Sequence, residues 1–112
     1  MIIRIVRMTF EPHEVEAFQL LFQETKHLIR HFDGCERLEL LRDVKQPNVF
    51  FTYSWWQSEE QLNKYRYSEL FKNVWSQTKA KFADKPQAWS LTTAVVAWWE
   101  PHLFNYFPKT LP

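Results

Sequence analysis

Glycine is almost missing from this chain: Gly34 is the single one in 112 residues. Cysteine is as scarce, and with Cys35 alone no intrachain disulfide can form, which fits a reducing, cytoplasmic setting. Excess charge is lacking too. Fourteen Lys and Arg against thirteen Asp and Glu leave a formal +1. With no basic stripe, the electrostatic footprint of a nucleic-acid binder is absent. No run approaches the roughly 18 consecutive apolar residues of a membrane span. The opening "MIIRIVRMTFEPHE" is interrupted by Arg4 and Arg7 and has neither the apolar core nor the small-residue cleavage site of a signal peptide. No internal repeat and no second domain are discernible.

What the chain has in excess is aromatic rings: six Trp, four Tyr and ten Phe. Rings bury large areas. So many in a chain of one-domain length imply a dimer interface or a large apolar pocket beyond an ordinary core. Residues 2–10, "IIRIVRMTF", are rich in β-branched and apolar types and predict a strand. Pro12 suits the first turn of a helix, where its missing N–H would have had no partner anyway. Apolar residues then recur at Val15, Phe18, Leu21, Phe22, Leu28, Ile29 and Phe32, the spacing of one helix face. That helix is expected to stop at "FDGCE", because a positive φ is most needed just past a helix end and Gly34 supplies it.

Residues 35–43, "CERLELLRD", predict a second strand and residues 49–56, "VFFTYSWW", a third. Between them "VKQPN" carries turn chemistry in Pro47 and Asn48, so the two strands are expected to form an antiparallel hairpin. Alternation puts Val49, Phe51, Tyr53 and Trp55 on one face and Phe50, Thr52, Ser54 and Trp56 on the other. Ser58 with Gln61 fits a capping box, and Glu59 and Glu60 favour the positive end of the helix that follows. Its apolar residues run from Leu62 and Tyr65 through Leu70, Phe71, Val74 and Trp75 to Phe82. A bend is expected near Ser68 and an end before Pro86. Residues 87–96, "QAWSLTTAVV", predict a fourth strand.

The order β-α-β-β-α-β is that of the ferredoxin-like split βαβ fold, an α+β class with a four-stranded antiparallel sheet. It accounts for residues 1–96. Two helices cover one face of such a sheet, and the face carrying Val49, Phe51, Tyr53 and Trp55 needs a cover as well. A second copy across a two-fold axis is the simplest one, giving a homodimer. Trp55 is then expected to face the partner and Trp56 the subunit's own helices, unless a bulge at Ser54 or Trp55 inverts them. Residues 97–112, "AWWEPHLFNYFPKTLP", hold three prolines and five aromatics. They are expected to pack on their own subunit or on the partner.

"WQSEEQLNKYRYSELF", Trp56 to Phe71, resembles the W-x-S-x-E-x-L-x-x-H-x-x-S segment of the antibiotic biosynthesis monooxygenase family. Trp56, Ser58, Glu60, Leu62 and Ser68 fall on the pattern, and "DGCERLELLRD" looks like the family's second strand. The resemblance covers roughly residues 1–96, as one domain does, and implies a ferredoxin-like domain that dimerises into an α/β barrel. For activity it implies oxygenation of a small aromatic or polyphenolic compound by O₂ with no metal, flavin or haem cofactor. In that chemistry a flat phenol or anthrone sits between sheet and helices and loses a proton. The enolate passes an electron to O₂, and recombination with loss of water gives a quinone. Trp56 matches the family's pocket tryptophan by position. Tyr65 departs from the pattern, standing where His is frequent, and Leu70 stands where a second His is common. A tyrosine can donate a hydrogen bond to an oxyanion, but a pKa of about 10 makes it a poor base at neutral pH. Haem degradation, also known in the family, ranks lower: the iron-ligating His of that branch falls at or near Trp75, and the first strand has no asparagine.

The substrate-binding candidates are thus Trp56, Tyr65, Trp75 and Arg66, with Tyr65 also the candidate catalytic group. Ordinary core packing is the competing account of the rings. Tyr65 and Trp75 lie about 80° apart on a straight helix, both near its apolar stripe. Arg66 and Tyr67 are expected toward solvent, with Arg66 in reach of an anionic ligand at a pocket mouth. His27 and His31 have chelating i, i+4 spacing but no third ligand, so no metal site is expected. Cys35 has no adjacent base and is not expected to be a nucleophile. The alternative to an enzyme is a dimer that binds a small molecule without turnover. A purely structural dimer is also open, with the slot filled by Trp75, Trp89 or the tail rings Trp98, Trp99 and Phe104.

Overall fold

A computed structural model describes residues 1–97. β1 (Ile2–Thr9) leads through a short turn of 3-10 helix at Pro12–Glu14 into α1 (Val15–Arg30). β2 (Cys35–Arg42) and β3 (Val49–Trp56) follow, then α2 (Glu59–Arg66), α3 (Glu69–Lys79) and β4 (Gln87–Leu91). The strands lie in the order β2-β3-β1-β4, with every neighbouring pair antiparallel. This is the ferredoxin-like α+β arrangement expected from the sequence.

Local chemistry sets most boundaries. Gly34 does not sit at the C′ position expected of it: α1 ends at Arg30 with His31 as its cap, and Gly34 takes its φ of 90° four residues past Arg30, in the turn that leads into β2; a Cβ there would lie 2.6 Å from atoms of the Gln61 side chain. Ser58 caps α2 by accepting from the Gln61 amide at 3.2 Å. The β2–β3 turn is organised by Asp43, whose Oδ1 accepts from the amides of Lys45 at 2.8 Å and Gln46 at 2.9 Å. Asn48 ties that turn to the core by donating to the Phe10 carbonyl at 2.9 Å.

Two further expectations need correction. The second helical region is two helices, not one bent helix. Ser68 lies between them in an extended conformation, φ −75° and ψ 157°. Its hydroxyl accepts from the Phe71 amide at 3.1 Å and donates to the Tyr65 carbonyl at 2.6 Å. The same side chain therefore caps α3 and closes the last turn of α2, so it belongs to neither helix. The fourth strand ends at Leu91 rather than at 96. Leu91 pairs with Ile3, and only Ile2 of β1 remains beyond it, so β1 offers no further length to pair.

β3 pairs with β1 residue for residue from Val49 to Trp56, and the irregularity in the sheet falls in β2 between Cys35 and Arg37. Alternation along β3 is therefore unbroken. Trp56 faces the helices and is 0% exposed. Trp55 points the other way beside Tyr53, their ring centroids 5.1 Å apart. Two apolar clusters fill the layer between sheet and helices. One gathers Met8, Phe10, Val15, Phe18 and Phe50; the other gathers Cys35, Trp56 and Leu62 with Phe32 and Tyr65 against them. All strand residues of both clusters lie on one face of the sheet. The opposite face carries Ile3, Ile5, Phe51, Tyr53, Trp55, Trp89 and Leu91. Apart from Ala97, the aromatic segment 97–112 lies outside the described residues.

Candidate functional site

Between the two clusters the layer is not filled. A partly open cavity of about 300 Å³ lies there, at the small end of the range for small-molecule sites. Strand pairing lays out its floor in rows. Arg4 sits between Ser54 and Ser90, with Leu38 beyond Ser54; Val6 sits between Thr52 and Ala88; Met8 sits beside Phe50. The first row is mostly polar, the second mixed, and the third belongs to the core. Overhead, α1 contributes Phe18, Phe22 and Ile29, and α3 contributes Phe71 and Trp75. α2 brings Tyr65 and Arg66. Among the described residues no Asp, Glu or His lines the cavity.

Trp56 and Tyr65 form one wall. Their rings stack with centroids 4.9 Å apart and planes 24° from parallel. The Trp56 indole N–H donates to Ser54 Oγ at 2.9 Å, which fixes the ring's rotation and supplies the partner a buried indole needs. Phe32 and Phe71 meet Tyr65 edge-on at 5.4 Å and 5.2 Å, so its ring is held on three sides. Burial, and after it the nearby Cys35, pushes the Tyr65 phenol well above its usual pKa. Tyr65 is therefore protonated at neutral pH and acts as a donor. No fully buried side-chain polar atom lacks a partner among the described residues. The Tyr65 hydroxyl makes no hydrogen bond to another described residue.

The remaining polar groups divide by where their protons go. Thr25 donates to the Leu21 carbonyl at 2.8 Å and Thr78 to the Val74 carbonyl at 2.7 Å, so both are occupied within their own helices. Arg4 donates through one Nη to Ser90 Oγ at 2.9 Å, the one side-chain bond its guanidinium fork makes among the described residues. Burial, then the neighbouring Arg66, lowers the Arg4 pKa from its usual value, though an arginine remains a cation at neutral pH. The donors left for a ligand are Arg4, Arg66, Tyr65 and the Thr52 and Ser54 hydroxyls, since Ser54 only accepts from Trp56.

The four candidates from the sequence, Trp56, Tyr65, Trp75 and Arg66, all line this one cavity. The 80° estimate between Tyr65 and Trp75 presumed a single straight helix; they stand on separate helices and converge because the chain turns at Ser68. Arg66 is exposed yet reaches the cavity, while Tyr67 is 77% exposed. Arg4, Thr52 and Ser54 were not singled out from the sequence. The signal was present: alternation places Arg4 on the same face as Ile2, Val6 and Met8, an arginine at an inward position. Trp89 lies on the opposite face and is not among the residues lining the cavity; Trp98, Trp99 and Phe104 lie outside the described residues. His27 and His31 are exposed, with a His31 ring nitrogen 2.8 Å from the His27 carbonyl oxygen. Burial is the main cause raising the Cys35 thiol above its usual pKa, which keeps it a poor nucleophile.

A family profile described as antibiotic biosynthesis monooxygenase matches residues 1–75, from β1 to Trp75 in α3. The chain belongs to the antibiotic biosynthesis monooxygenase family. The family match takes in every residue lining the cavity except Thr78, Pro86 and Ala88. A solved antibiotic biosynthesis monooxygenase superimposes with a TM-score of 0.80 at 18% identity, covering 85% of this chain and 100% of that one. A conserved protein from Methanosarcina mazei Go1 gives 0.76 at 17% identity, covering 81% of this chain and 91% of that one. SnoaB, a cofactor-independent oxygenase from Streptomyces nogalater, solved as a variant, gives 0.76 at 16% identity, with 85% and 94% covered. At these identities the likeness is one of fold. No curated protein matches the chain. No helix among the described residues is long and apolar enough to cross a membrane.

Proposed function

We propose that this family member is a cofactor-independent monooxygenase of a small aromatic or polyphenolic compound and acts as a homodimer. The observation that carries the reading is the cavity beside the stacked Trp56 and Tyr65: apolar over most of its wall, with hydrogen-bond donors and two cations at one end. Trp56, itself fully buried, shapes the wall from behind Tyr65; a flat ring lies in the cavity beside that wall, and its oxygen takes the Tyr65 proton as a hydrogen bond. Neither Tyr65 nor Arg4 nor Arg66 is a base. By donating to the phenol oxygen, Tyr65 favours the anionic form of the bound phenol, so that its own pKa falls and water accepts the proton. The enolate then passes one electron to O₂, and the radical pair recombines to a peroxide at carbon. Loss of water leaves a carbonyl. For an anthrone the sum is anthrone plus O₂ to quinone plus water: one oxygen atom enters the product and the other leaves as water, with no outside reductant.

The test is quinone formation from an anthrone in air with no added cofactor, followed by absorbance and oxygen uptake. Oxygen-dependent turnover is expected, falling at least about ten-fold in both Trp56→Phe and Tyr65→Phe. A second reading, ligand binding without turnover, is favoured by the lack of any Asp, Glu or His among the described cavity residues. Absence of turnover above the uncatalysed rate across several flat phenols, with binding retained, would replace the first reading by the second.

A further inference from the structure

Position 4 is an unusual place for a cation. It lies in the middle strand of β3-β1-β4, facing the helices, where its neighbours along β1 are Ile2, Val6 and Met8. Taking a guanidinium partly out of water has a cost that proteins usually offset with a carboxylate. The ion pairs among the described residues are His13–Glu14, Arg37–Glu39, Lys64–Glu60 and Lys72–Glu69, and neither Arg4 nor Arg66 is in them. Its hydrogen-bond partner is the neutral hydroxyl of Ser90. A second guanidinium, Arg66, lines the same cavity and lies close enough to act on the charge of Arg4. Two like charges share one wall with no described anion opposite. That arrangement is unfavourable empty and becomes favourable once an anion sits between them, because each contact is then a charge-assisted hydrogen bond.

We infer that the ligand of this cavity is a flat aromatic carboxylic acid, with its carboxylate between Arg4 and Arg66 and its rings along the Val6–Met8 floor under Phe18 and Phe22. The inference rests on the cavity being the ligand site proposed above. The polar row of Ser54, Arg4 and Ser90 and the apolar remainder give the ligand one orientation: charged group at the arginines, hydrocarbon toward the Met8 core. A planar, bidentate anion matches the guanidinium fork, and the ring system uses the apolar wall. The arginines thereby serve as specificity-determining residues, distinct from the Trp56–Tyr65 wall.

The test compares anthracene-2-carboxylate with its uncharged amide, a near-isostere, by fluorescence titration of the full chain at neutral pH and low salt. The acid is expected to bind at least about ten-fold more tightly, the size of one or more charge-assisted bonds. Arg4→Gln and Arg66→Gln should each narrow that ratio, and the double variant should remove it, while amide affinity stays within about two-fold. Should Arg4→Gln fail to fold, Arg66→Gln, at an exposed helical position, carries the comparison alone. Equal binding of acid and amide to the wild type would overturn the inference and leave the cavity standing as a ligand site for neutral phenols. A preference for the acid that survives both substitutions would overturn it too. If neither compound binds up to its solubility limit, the inference falls, and the turnover test above decides the proposed function separately.

Discussion

Trp55 and Trp56 are joined by one peptide bond and carry the same side chain, yet Trp56 is entirely buried and Trp55 lies on the open face of the sheet. The difference is the pleat alone: successive residues of a strand point to opposite faces, and β3 has no bulge to change the count. Tyr65 is likewise set by its surroundings. Packed against Trp56, Phe32 and Phe71, it keeps its proton to well above the usual phenol pKa. The linkage has a definite sign. A folded-state pKa above the unfolded value of about 10 contributes stability below that pH, and the contribution is lost as pH rises beyond it. The tyrosinate absorbance assigned to Tyr65, from the difference between wild type and Tyr65→Phe, is therefore expected only well above pH 10, together with unfolding. Reversible ionisation of Tyr65 near pH 10 in the folded protein would show that the ring is not buried as described.

At the scale of elements, Ser68 decides the shape of the site more than any apolar residue does. It ends α2 so that Tyr65 and Arg66 face the Arg4 row, and it starts α3 so that Phe71 and Trp75 form the roof. Ser68→Ala removes the cap and the bond to the Tyr65 carbonyl together, and is expected to lower stability by about 1–2 kcal/mol in urea denaturation. Ser76→Ala, which deletes an exposed hydroxyl inside α3, is expected to stay within about 0.5 kcal/mol. Equal effects from the two substitutions would mean that the break at Ser68 is not maintained by its side chain.

The whole molecule has one face of its sheet clothed by helices and the other bare among the described residues. Trp89 and Leu91 on that face are 43% and 47% exposed, and the Arg37 guanidinium lies 5.1 Å over the Trp55 ring. A face with this much apolar and aromatic surface, bordered by Arg7, Arg37 and Glu39, calls for a cover. The proposed homodimer supplies it from a second copy. Sedimentation is expected to give about twice the 13.7 kDa subunit mass, and Trp55→Glu to shift it toward the monomer with far-ultraviolet dichroism unchanged. A clean wild-type monomer at micromolar concentration would remove the barrel from the account.

The amino-acid pattern alone determined the element order, the β2–β3 hairpin, the sidedness of β3, the positive φ at Gly34 and the place where the second helical region breaks. These are local or periodic properties: alternation, capping chemistry and the single residue free to take a positive φ are all written within a few positions of one another. The ring of candidates around Trp56 was legible for the same reason, because a motif is a local string. Only the tertiary structure decided the rest. Whether Ser68 bends a helix or divides it depends on its hydroxyl meeting both the Phe71 amide and the Tyr65 carbonyl. Where β4 stops depends on how much of β1 is left to pair with. That Arg4 and Arg66, 62 positions apart, line one cavity depends on strand register and on the path of α2 over the sheet. Such facts arise from contacts between distant segments, and no spacing within either segment encodes them.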